Sequence, residues 1–228
     1  MLIRYYFSPL PLQLFLRFLI RPFLKFFLRM EICGLENLKN LKGSFIIASN
    51  HIHEFDVVLL PSAIPLGYFR RPFFFVSLPK KEYQDSWRGK IFYGGFIFFL
   101  LGGLRAYRGK NDYHISLSNH IKVLNKGEVV YIFPEGMVSR GGEPSEARGG
   151  LAFLAYESKR PVLPIKIEGV FGMGLRDFLL RKRTLTIRIG KPIENKEIFN
   201  NFFEANSDNF KKASQIILNR ILEINSFT

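Results

Sequence analysis

Ser44-Phe45-Ile46-Ile47-Ala48-Ser49-Asn50-His51-Ile52-His53-Glu54-Phe55-Asp56 is a short apolar run that empties into a cluster of polar and ionisable side chains. Further along, Glu128 to Ile132 repeats the arrangement and ends in Phe133-Pro134-Glu135-Gly136. Runs this short, without helical periodicity and rich in Ile, Val and aromatic residues, predict strands. A base with its acid after one strand and a polar turn after another is how an α/β protein assembles a site at the carboxyl edge of its sheet.

Working outward, Pro72 to Ser77, Val162 to Ile167 and Thr184 to Ile189 read as further strands. Helices are expected from a loop at His51 to about Ala63, over Asp112 to Asn125 before Gly127, and over Gly149 to Ser158. Ser207 to Asn225 is amphipathic, with Phe210, Ala213, Ile217, Leu218 and Ile221 on one side. Strands alternating with helices imply an α/β fold with a single central sheet flanked by helices. Ile91 to Leu104 is apolar and uncharged but too short to span a bilayer, which leaves a buried helix or an interfacial segment.

The chain has 228 residues, enough for one domain with an appendage. It carries 25 Phe, more than a core of this size needs, and a net charge of +14 from 33 Lys and Arg against 19 Asp and Glu. That balance favours an anionic partner, either nucleic acid or a membrane surface. The single Cys33 excludes an intramolecular disulfide framework and reads as a buried, inert thiol.

Residues 1–33 form a distinct helical segment ahead of an α/β domain at 34–228. Arg17, Arg21, Lys25 and Arg29 recur every fourth residue and define one narrow face, while Phe and Leu fill the rest. The cations interrupt the apolar run, so it is neither a signal peptide nor a transmembrane span. Such a helix suits the headgroup boundary of an anionic bilayer, and Pro22 is expected to bend or divide it. The competing arrangement is a helix docked on the protein's own core with a solvated basic edge. The expectation is a peripheral or monotopic protein on the cytoplasmic face of a membrane.

His51 and Asp56 are five residues apart, about 500° on a regular helix, so they meet only if the chain turns between them. With His51 in the loop and Asp56 in the first helical turn, the carboxylate fixes one imidazole nitrogen and frees the other as a base. His53 is a competing base, and Asn50 a candidate cap for the turn. The bland reading of this stretch is a capped helix start with satisfied polar groups.

Four further stretches follow in order: Gly102-Gly103-Leu104-Arg105-Ala106-Tyr107-Arg108, then Phe133-Pro134-Glu135-Gly136, then Ser145 to Gly150 leading into Leu151 to Ala155, and finally Pro161-Val162-Leu163-Pro164-Ile165. With the His and Asp pair, they resemble the glycerolipid acyltransferase family, which includes the 1-acylglycerol-3-phosphate acyltransferases. The resemblance covers about Gly43 to Gly169 and extends loosely to Pro192. It implies direct acyl transfer from acyl-CoA or acyl carrier protein to a lysophospholipid hydroxyl, with His51 as general base oriented by Asp56. It implies that Arg108 contacts an anionic group of the acceptor and that Glu135 and Gly136 shape the acceptor site. For Glu135, bonding of nearby backbone amides is an equal alternative. Where the family's third motif has Thr and Arg after the Gly, this chain has Met137 and Val138. Arg140 and Arg148 are the cations left to meet a phosphate there.

No P-loop or dinucleotide fingerprint is present, so no nucleotide cofactor is expected, and no metal site is read from the lone Cys. Nucleic acid is disfavoured as a partner because zinc-finger spacing and an RRM-like aromatic signature are absent. The remaining alternatives are an acyltransferase for a different lysophospholipid and a basic membrane- or nucleic-acid-binding protein without activity.

Overall fold

The computed structural model describes residues 8–39, 41–69, 71–77, 96–106, 112–139, 141–199 and 203–225. Seven strands form one sheet: β1 (Arg29–Cys33), β2 (Ile46–Ser49), β3 (Phe73–Ser77), β4 (Gly103–Arg105), β5 (Val129–Ile132), β6 (Val162–Glu168) and β7 (Thr184–Ile189). Their spatial order is β1-β7-β6-β2-β5-β3-β4. All neighbours are parallel except β6 and β7, so β1 and β7 run against the other five.

The central strands β2 and β5 are buried at every position because both faces of the sheet are covered. Phe45, Ile47, Phe73, Phe75, Tyr131 and Ile165 point to one face, packed with Leu59 and Leu60 of helix Asp56–Ala63 and with Ile64 just after it. Ile46, Ala48, Phe74, Val130 and Ile132 point to the other, beneath helices Ser118–Asn125, Gly150–Ser158 and Ser207–Leu222. The chain therefore leaves β2 for one face and β5 for the other. Adjacent parallel strands whose connections part in this way open a crevice at their carboxyl ends.

The structure changes several expectations. Residues 29–33 belong to the sheet, paired with β7, so the N-terminal segment ends in a strand. Cys33 lies on that edge strand and is exposed, not buried. The stretch read as one helix over 112–125 breaks into Tyr113–Ser116 and Ser118–Asn125. The apolar run from residue 91 becomes a short helix, Phe96–Leu100, followed by β4, with residues 91–95 outside the described set.

The N-terminal helix, Leu10–Phe27, runs through Pro22 as a single helix and packs on helix Asp56–Ala63. At Arg17 it differs from the docked arrangement with a solvated basic edge. Arg17 is buried at 3 % exposure, and its guanidinium donates to the carbonyls of Ile64 and Phe69, each at 2.9 Å. Ile64 is the C-cap of helix Asp56–Ala63, where a cation meets the negative end of the peptide dipoles. Burial, with Arg21 beside it, lowers the Arg17 pKa to about 10, which still leaves it charged at neutral pH. Gln13 clips the helix to β3, bonding both the N–H and the carbonyl of Phe73. Gln13 and Arg17 face the protein, Lys25 stays exposed, and Phe15, Phe18, Phe23 and Phe26 face outward.

Candidate active site

His51 follows β2, and Asp56 opens the helix Asp56–Ala63, so the chain turns between them. The His51 Nδ1 lies 3.0 Å from Asp56 Oδ2. A carboxylate only accepts, so Nδ1 carries the proton and Nε2 is left as the basic nitrogen. The same Oδ2 accepts the backbone N–H groups of Ile52 at 2.8 Å and His53 at 2.9 Å. Asp56 is fully buried, and its Oδ1 has no partner among the described residues. The carboxylate thus shapes the loop and orients the imidazole at once.

His53, the competing base, is engaged elsewhere. Its Nε2 lies 3.3 Å from the Met173 carbonyl, and its Nδ1 accepts the Phe55 N–H at 3.3 Å. Asn50 is not a cap. Its amide donates to the Ile167 carbonyl and accepts the Ile167 N–H, locking the end of β2 onto β6.

The turn after β5 holds His51 from the other side. The Phe133 ring stacks on the imidazole, with centroids 3.8 Å apart and planes 11° from parallel. Glu135 Oε2 accepts the His51 N–H at 3.0 Å, while the His51 carbonyl accepts the Ser139 N–H at 2.8 Å. Both backbone groups of His51 are therefore held by one turn. Glu135 is 1 % exposed, and burial pushes its pKa up to about 7 against the lowering effect of the bonds that it accepts. Of its two sequence readings, the structure supplies the backbone amide, though that amide lies on a different loop.

Gly136 has φ +69°, and a Cβ there would come within 2.9 Å of Arg148 Cδ. Arg148 is exposed and lies against this turn, its N–H bonded to the Pro134 carbonyl at 2.8 Å. His51, Asp56, Glu135, Gly136 and Arg148 thus share the β2/β5 crevice. Arg108 and Arg140 lie outside the described residues. Beneath the site Ser49 and Tyr131 share a 2.8 Å hydrogen bond, and burial holds the Tyr131 phenol well above its ordinary pKa.

Phe133 is the first residue of its motif in the sequence but, like Ser139, is given no role there. The signal that could have found them is that they are the first and last residues of the motif Phe133 to Ser139. Among the described residues no group of three or more His, Cys, Asp or Glu is placed to hold a metal ion.

A buried carboxylate bonded to an imidazole that also stacks on Phe133, at the carboxyl end of the sheet, is an arrangement that can act as a general base toward a hydroxyl. Residues 29–168 match the family described as Acyltransferase. The chain belongs to the acyltransferase family. A 1-acyl-sn-glycerol-3-phosphate acyltransferase of Bacillus subtilis is 28% identical over 171 residues, covering 74% of this chain and 75% of that protein. A probable 1-acyl-sn-glycerol-3-phosphate acyltransferase of Mycoplasma pneumoniae is 26% identical over 132 residues, which are 58% of this chain and 47% of that protein. The crystal structure of the 1-acyl-sn-glycerophosphate acyltransferase from Thermotoga maritima superposes with a TM-score of 0.59 at 20% identity. It covers 92% of this chain and 77% of that one, so the acyltransferase shares its fold.

Proposed function

We propose that this acyltransferase moves a fatty acyl group from acyl-CoA or acyl carrier protein to the free hydroxyl of a lysophospholipid, with 1-acylglycerol-3-phosphate as the first acceptor to test. The observation that carries the reading is the 3.0 Å His51–Asp56 contact in the crevice between β2 and β5. The names of the Bacillus and Mycoplasma relatives support the choice of acceptor.

In this reading His51 Nε2 takes the proton of the acceptor hydroxyl as its oxygen attacks the thioester carbonyl. Asp56 stabilises the imidazolium that forms. Collapse of the tetrahedral intermediate expels the carrier's thiolate, which takes the proton back from His51. No covalent acyl-enzyme is formed. The amides of Ile52 and His53 are committed to Asp56, and that of Gly136 to the Phe133 carbonyl at 3.1 Å. The donors for the oxyanion are therefore other groups than these three.

Arg148, beside Gly136, is the described cation best placed to meet a phosphate, with Arg108 and Arg140 as the further candidates. Val138 stands where the family motif has Arg, and this favours a second reading in which the acceptor is a different lysophospholipid. The protein works from the membrane surface, with the outward Phe residues of the N-terminal helix in the headgroup region on the cytoplasmic side. Among the described residues no helix is long and apolar enough to cross a membrane, consistent with such seating.

The test is acyl transfer by the purified full chain from labelled oleoyl-CoA or oleoyl-acyl carrier protein to a panel of lysophospholipids. Preference for 1-acylglycerol-3-phosphate supports the first reading, and preference for another headgroup the second. No transfer to any acceptor contradicts both.

A further inference from the structure

We infer that the connection between β6 and β7, residues 170–183, is a second lipid-contacting element that seats against an anionic bilayer alongside the N-terminal helix. The inference rests on the membrane reading of that helix and extends it to a part of the chain far away in sequence.

Four large apolar side chains of this connection face outward: Phe171 at 41%, Leu175 at 74%, Leu179 at 51% and Leu180 at 54% exposure. Between them Phe178 turns inward onto Phe27, with ring centroids 4.8 Å apart. The connection is thereby attached to the end of the N-terminal helix. Arg181 places its guanidinium 5.1 Å from the centroid of the Phe26 ring, which is 60% exposed. Two apolar clusters separated by most of the chain thus abut at the Phe26–Phe27 corner.

The charge around this patch selects the partner. Arg176, Arg181, Lys182 and Arg183 rim it, against the single acid Asp177. A bilayer with anionic headgroups offers both an apolar interior for the leucines and negative charge for the rim. Nucleic acid offers the charge without the apolar phase. A second copy of this chain would set one cationic rim against another. The patch also reaches the catalytic loop: Met173, in the same connection, accepts a bond from His53 Nε2 at 3.3 Å. A bilayer under residues 170–183 would bring its lipid to the edge of the His51 site.

The experiment compares wild type with Leu175→Ser/Leu179→Ser/Leu180→Ser in co-sedimentation with phosphatidylglycerol–phosphatidylcholine vesicles. Circular dichroism and transfer to a short-chain acceptor below its micellar concentration monitor folding and the active site. Expected is about tenfold or greater loss of vesicle partitioning, with folding and soluble-acceptor transfer unchanged. Partitioning equal to wild type overturns the inference. So does a wild-type dimer that the triple variant converts to a monomer with vesicle binding intact.

If the triple variant fails to fold, Leu179→Trp in a Trp87→Phe background reads the same point. Fluorescence shifted blue and quenched by brominated lipid is expected, and an unshifted spectrum on fully bound protein overturns the inference. Substituting Phe15, Phe18 and Phe23 by Ser tests the parent reading separately. If that variant loses vesicle binding and the leucine variant does not, the inference falls and the membrane reading stands. If neither loses it, both fall.

Discussion

The first and last long helices of this chain have similar length and opposite orientation. Helix Ser207–Leu222 buries Phe210, Ala213, Ile217, Leu218 and Ile221 and turns Lys211 and Lys212 to solvent. Helix Leu10–Phe27 buries Gln13, Arg17 and Leu24 and turns Phe15, Phe18, Phe23 and Phe26 outward. Both are amphipathic, yet only the C-terminal one follows the rule that the apolar stripe faces the core. An amphipathic pattern says that a helix has two environments. It does not say which of them is the protein. For the N-terminal helix the protein supplies carbonyl acceptors to Arg17 and Gln13, and the Phe side chains are left facing outward.

The contrast is sharpest in stability. Ile217→Ala removes a fully buried side chain under the sheet and is expected to cost about 3 kcal/mol in chemical denaturation. Phe18→Ala, at a side chain 70% exposed, is expected to change stability by no more than about 0.5 kcal/mol without lipid. Equal losses at the two sites would break the comparison.

Arg17→Met sharpens it from the inner side. The substitution leaves the Ile64 and Phe69 carbonyls unpaired and should cost about 2 kcal/mol, measured in the same denaturation series. A more stable variant would mean that the buried polar stripe is not what holds the helix.

Glu135 gives a smaller effect with a pH signature. Its pKa is raised from 4.5 to about 7, so the folded protein keeps a proton that the unfolded chain has already released. Stability from this group is therefore greatest at acid pH and falls as pH rises through the window from 4.5 to about 7. The span is about 1–3 kcal/mol. Glu135→Gln keeps an acceptor for the His51 N–H and should flatten this part of the melting-temperature profile. An unchanged slope would contradict the assignment. Least is expected of Lys211→Ala, which breaks a solvent-exposed 2.9 Å bridge to Glu146 and should leave the melting temperature unmoved.

Strands buried on both faces were readable because they are almost continuous apolar runs, as at Ile46–Ser49 and Val129–Ile132. β1 was missed because an edge strand alternates, exposing Arg29, Glu31 and Cys33, and so blends into the charged helix before it. β4 was missed because a three-residue strand that begins at the second of two glycines carries almost no pattern. At the site the His51–Asp56 pair was readable, since its partners are close in sequence and the turn between them is forced. Two bonds join residues far apart in the chain: Asn50 with Ile167, and the His51 N–H with Glu135. No local spacing encodes them. The inward Arg17 was hidden for a related reason, because its acceptors are backbone carbonyls, which every residue has.

The most direct test of the account is acyl transfer by His51→Ala and Asp56→Asn beside wild type, with melting temperatures confirming that each is folded. The account predicts that His51→Ala lowers the rate by about a hundredfold or more at every pH, and that Asp56→Asn, by releasing the imidazole from its tautomer, also lowers it severely. Transfer by folded His51→Ala at the wild-type rate would contradict it.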